Sequence, residues 1–144
     1  MKRFVHVYQA MAVLTTLVAL TTTANAQDGC GVATLNGNYG FNYEGNASRG
    51  KNGADRPWAA VGLLTFDGAG NLSGTFTISV DGTITTGNPY SATYTVNSDC
   101  TGVIAGTPGT GADSFTFVIV SGGAEVYAID LTPGFTSSFD AKKL

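Results

Sequence analysis

The sequence predicts an all-β fold, most simply a single antiparallel up-and-down β-barrel of about eight strands. Two patterns carry that expectation. Short runs of alternating apolar and polar residues recur, bounded by glycine, asparagine or aspartate, and no useful stretch shows the period of an amphipathic helix. The connections are also too short for parallel crossovers, which need a dozen or more residues, so neighbouring runs pair antiparallel. Eight strands in such a meander must close or stack. Closure removes exposed sheet edges and favours the barrel; a Greek-key β-sandwich uses the same strands and stays open as the alternative.

Taken in order, Tyr39-Gly40-Phe41-Asn42-Tyr43 alternates large with small residues and sets Glu44 on the face opposite the rings. Ala59 to Phe66 is a near-continuous apolar run. Leu72, Gly74, Phe76, Ile78 and Val80 share one parity against Ser73, Thr75, Thr77 and Ser79, the clearest period-two strand in the chain. Tyr90, Ala92, Tyr94 and Val96 alternate with Ser91, Thr93 and Thr95. Further strands are read at 101–105, 114–120, 125–131 and 135–142. Asp67-Gly68-Ala69-Gly70-Asn71 and Asp81-Gly82 supply glycines for the positive φ of tight hairpins, and Asn97-Ser98-Asp99 and Ser121-Gly122-Gly123 are further turns. The long irregular stretches are 46–57, with Arg49, Lys51, Asp55 and Arg56, and 106–112.

Residues 1–26 read as a secretory signal peptide. Met1-Lys2-Arg3 is basic, the run from Met11 to Leu20 is apolar, and Ala24-Asn25-Ala26 is a cleavage site ahead of Gln27. The apolar run falls short of the roughly 20 residues of a membrane span, so no stable membrane insertion is expected after cleavage. Residues 27–144 then form one domain, secreted or periplasmic.

Cleavage removes His6, the only histidine. A serine triad therefore has no base, and two cysteines alone make no ordinary zinc site. No cofactor and no metal are expected. The leader carries two of the seven basic residues and none of the ten acidic ones, which leaves five against ten. Without a basic stripe to neutralise phosphates, nucleic acid is not an expected partner. Cys30 and Cys100 are the only cysteines, and an oxidising compartment would pair them. Closing that loop is worth about 4 kcal/mol on the chain-entropy account.

The ligand-lining candidates are Tyr39, Tyr43, Trp58, Tyr94, Phe117, Glu125 and Tyr127. Glu125 shares parity with Tyr127, Ile129 and Leu131; pointing inward, its carboxyl would have the raised pKa of a general acid or base. The plainer and preferred reading is a solvated carboxylate at a strand end. The aromatics serve as core filling before they serve as ligand contacts, because an eight-stranded barrel is often filled by its own side chains. Trp58 follows Arg56-Pro57 where a long loop enters a strand, and either plugs one barrel end or anchors a partner. Asp67 to Asn71 looks like the start of a calcium loop, but later acidic ligands are missing and a hairpin turn explains it.

Leu35-Asn36-Gly37-Asn38-Tyr39, the segment from Val61 to Asn71, the segment from Tyr94 to Gly102, and Phe117-Val118-Ile119-Val120 resemble a group of small exported bacterial β-barrel proteins. Their barrel is similar to those of allene oxide cyclases and, more distantly, lipocalins. The resemblance covers nearly all of residues 27–144 and rests on strand and turn motifs. It implies a lumen able to hold an apolar ligand and transfers no catalytic residue. The expected function is non-enzymatic binding of a small apolar molecule in the lumen. The alternatives are a cofactor-free cyclase with one assisting carboxylate, and a structural or surface-assembly protein. Oligomeric state is left open by the sequence.

Overall fold

The computed structural model describes residues 29–47, 55–108 and 113–144; the leader, Arg49 and Lys51 lie outside them. Eight strands follow one another: β1 Asn36–Ala47, β2 Arg56–Asp67, β3 Asn71–Val80, β4 Thr83–Val96, β5 Thr101–Gly106, β6 Ser114–Val120, β7 Glu125–Asp130 and β8 Phe135–Lys143. Each pairs antiparallel with its neighbour in sequence, and β1 returns to pair with β8. This is a closed up-and-down barrel. The consecutive strand order excludes the Greek-key alternative.

Side-chain alternation on each strand divides lumen from exterior. On β1, Tyr39, Phe41 and Tyr43 face inward, while Asn38, Asn42 and Glu44 are exposed. On β2, Ala60, Leu64 and Phe66 are buried and Val61 and Leu63 are exposed, so both faces of this strand are apolar. That explains its unbroken apolar sequence. Gly62 sits inward on the same strand because a Cβ there would come within 2.7 Å of Phe41 Cε1. The β3–β4 hairpin turns on Asp81 and Gly82, with φ of 50° and 80°, the two positive values that a type I′ turn requires. β4 starts at Thr83, seven residues before the alternating run at Tyr90. Thr83 to Gly87 are exposed on both faces and carry no alternation to read.

The face of β7 differs from the sequence expectation. Val126, Ala128 and Asp130 point inward, whereas Glu125 and Tyr127 lie outside, with Tyr127 42% and Ile129 55% exposed. Cross-strand volume decides this. Ala128 stands opposite Phe117 on β6 and Phe139 on β8, and Asp130 stands opposite Phe115. Three buried rings from the flanking strands leave room in β7 only for small inward side chains. A tyrosine at 128 would meet them.

The lumen has two halves. At one end lie the Asp67–Asn71 hairpin, the Asn97–Cys100 turn, the Ser121–Gly123 turn and a short 3-10 turn at Val32–Thr34. Leu35, Tyr39, Phe66 and Tyr94 fill this end; the Tyr39 and Phe66 rings meet edge to face at 5.0 Å, as do Phe66 and Tyr94 at 5.1 Å. The Tyr94 hydroxyl donates to the Leu35 and Val32 carbonyls, at 2.9 and 3.0 Å, and the Tyr39 hydroxyl donates to the Gly123 carbonyl. The Cys30–Cys100 disulfide ties the segment before β1 to the β4–β5 turn. This half is plugged.

Candidate functional site: a cavity in the other half of the lumen

The opposite half holds a cavity of about 110 Å³. β1 contributes Phe41 and Tyr43, β2 Leu64, and β3 Leu72, Phe76 and Ile78. Tyr90 of β4, Ile104 of β5, Phe115 of β6 and Phe139 of β8 complete the apolar wall. Asp113, the residue before β6, is the only charged side chain among the described residues of the lining.

Packed rings hold this wall. Phe115 meets Tyr43 at 5.7 Å and Phe139 at 5.2 Å, both edge to face, and Phe41 meets Phe139 at 6.4 Å. Trp58 extends the row beyond Tyr43, with its ring 5.9 Å from that of Tyr43 and 5.5 Å from that of Phe135.

A polar cluster borders the rings. Asp130, 9% exposed, accepts hydrogen bonds from Ser137 Oγ at 2.9 Å, the Tyr43 hydroxyl at 3.2 Å and the Thr132 N–H at 2.7 Å. These donors compensate its buried charge. Asp113 has no such set: no hydrogen bond or ion pair to its carboxylate is made among the described residues. Burial raises its pKa above the usual carboxylate value, and the charge of Asp130 adds to the effect. Burial likewise pushes the Tyr43 and Tyr90 phenols far above the ordinary tyrosine range. Among the described residues, two buried donors have no partner, the Tyr90 hydroxyl and Trp58 Nε1.

The seven residues read from sequence fall into three places. Tyr43 lines the cavity, and Trp58 packs on it. Tyr39, Tyr94 and Phe117 belong to the packed half, where the two tyrosine hydroxyls are already used by backbone carbonyls. Glu125 and Tyr127 stand outside the barrel and bond to each other at 2.7 Å, with Lys142 3.5 Å from Glu125. These contacts, Tyr127 first, hold the Glu125 carboxyl below its ordinary pKa, the reverse of the shift expected for an inward acid. The inward acids are Asp113 and Asp130. One signal was available for Asp113: it continues the parity of Phe115 and Phe117 by one step. Nothing comparable marked Asp130, whose parity on β7 holds smaller residues than the opposite face.

At the plugged end, Asp67 accepts from the Ala69 and Asn71 N–H groups at 2.7 and 2.9 Å and from Asn71 Nδ2 at 2.6 Å. That carboxylate closes its own hairpin, and these bonds, led by the Asn71 side chain, lower its pKa.

Fold and cavity together define a small closed β-barrel with a half-filled lumen. Compared with models of known protein families and with curated proteins, the sequence gives no match.

Proposed function

We propose that this protein is an exported carrier or sensor that binds a small, largely apolar molecule in the unfilled half of its barrel. The observation that carries the proposal is the cavity itself. Barrel interiors of this size are normally filled by side chains, and here the filling stops midway. A pocket walled by six aromatic and four aliphatic side chains with one carboxylate has the composition of a ligand site: apolar area for affinity and few polar groups for orientation. Export is supported by the leader pattern and by the disulfide, a bond that persists in oxidising compartments. Native mass spectrometry of protein recovered from its own source tests the reading. Binding predicts a mass above that of the chain beginning at Gln27, lost on denaturation. A bare chain mass, with no stabilisation by any small apolar compound, overturns it.

One observation favours the cyclase alternative, which the sequence resemblance implies: Asp113 places a carboxyl of raised pKa in the cavity. Incubating the extracted ligand with the protein separates the two readings. A carrier returns it unchanged, whereas a cyclase yields an isomer of equal mass and different retention time.

A further inference from the structure

The carboxylate in the cavity narrows the class of ligand. Resting on the lumen-binding reading above, we propose that the site selects a small protonated amine, with its apolar body against Phe41, Phe76 and Phe139 and its ammonium at Asp113.

Among the described residues, Asp113 has no countercharge. The cations of the described strands are engaged or distant: Arg56 pairs with Asp81, Lys142 lies beside Glu125 on the outside, and Lys143 lies over Gly37 at the plugged end. A carboxylate held in an apolar cavity without a partner is costly, and a ligand cation supplies what the described residues do not. The buried Tyr90 hydroxyl, without a partner among the described residues, is a second polar group of the lining. A hydroxyl both donates and accepts, so it can take a second ammonium N–H. The aromatic wall suits the same charge, since ring faces attract cations within about 6 Å. Asp130 adds negative potential from behind Tyr43, and the two carboxylates together repel an anion. Size sets the body of the ligand. At about 110 Å³ the cavity is somewhat smaller than an engineered cavity of about 150 Å³ that takes benzene, so one ring or a short alkyl chain fits.

Benzylammonium, toluene and benzoate present one ring with positive, neutral and negative charge. Titrated calorimetrically into the purified protein at neutral pH, benzylammonium should bind about tenfold or more tighter than toluene, and benzoate should not bind. Asp113→Asn should abolish the amine's advantage over toluene, with near-UV circular dichroism reporting that the variant is folded. The advantage should fade as pH drops through the Asp113 titration. The other groups facing it are Asp130 of β7 and the tyrosines at 43 and 90, whose phenols stay neutral in that range. Equal binding of benzylammonium and toluene overturns the charge selection and leaves the lumen reading standing. An amine preference that survives Asp113→Asn overturns the assignment to this carboxylate. Failure of all three probes to bind overturns both readings.

Discussion

Replacing Cys30 and Cys100 together by serine gives a stability loss that can be worked from the structure. The disulfide closes a loop of sequence separation 70 that contains β1, β2, β3 and β4. The chain-entropy relation gives about 15 cal/mol/K for such a loop, or about 4.4 kcal/mol at room temperature. The folded state keeps its other ties at this end. The Cys30 N–H still donates to the Ser98 carbonyl at 3.3 Å, and Tyr94 still holds the Val32 and Leu35 carbonyls. The loss therefore falls on the unfolded chain, which gains the freedom the bridge removed. At about 4 °C per kcal/mol for a domain of this size, the melting temperature should drop by roughly 18 °C. Thermal melts followed by circular dichroism, with and without reductant, measure it. Reductant should lower the wild-type melting temperature to near that of the double variant and leave the variant unchanged. A loss under about 1 kcal/mol would refute the loop-closure argument.

Other substitutions separate the inner from the outer face. Ala128→Leu should cost about 1–3 kcal/mol in urea unfolding because Phe117 and Phe139 flank it, whereas the much larger change Tyr127→Ala should cost less than about 1 kcal/mol. Equal losses would contradict the assignment of the β7 faces. Tyr94→Phe should cost about 1–3 kcal/mol by leaving the Leu35 carbonyl without its donor, while Tyr90→Phe should be neutral or stabilising in the ligand-free protein, since its hydroxyl has no partner among the described residues. Asp113→Asn should also stabilise the ligand-free protein at neutral pH. Its folded pKa is raised, so between the unfolded and folded values the native state binds more protons and stability falls as pH rises through that window. The gain from the variant should vanish below pH ~3.8, the unperturbed value, where both states are protonated; a gain independent of pH in parallel denaturation curves would contradict the assignment.

Strand existence was legible because period-two patterning and turn chemistry agree. Asp81-Gly82 marked a turn that the structure makes with two positive φ values, and the Leu72–Val80 parity matched its inward face. Facing was legible only where the two faces differ in polarity. On β7 both are apolar enough to mislead: Tyr127 and Ile129 look like core, yet rings on β6 and β8 take the interior volume and leave space for Val126 and Ala128. That is a three-strand property, invisible along one strand. The same facing agrees with the preferred reading of Glu125 as a solvated strand-end carboxylate, while the inward acids are Asp113 and Asp130. Tyr43 was identified correctly as inward, but no local feature told it apart from Tyr39. The distinction lies in what each hydroxyl meets, the Gly123 carbonyl for one and a carboxylate beside the cavity for the other.

One half of this lumen is filled by side chains, and the cavity in the other half is proposed to bind ligand. Methyl NMR during a toluene titration tests it most directly. Saturable shifts are expected at Leu64, Leu72, Ile78 and Ile104, with Leu35, Ile119 and Val126 of the packed half unmoved. Shifts confined to the outer methyls of Val61, Leu63 and Ile129, or no saturable shift at all, would contradict it.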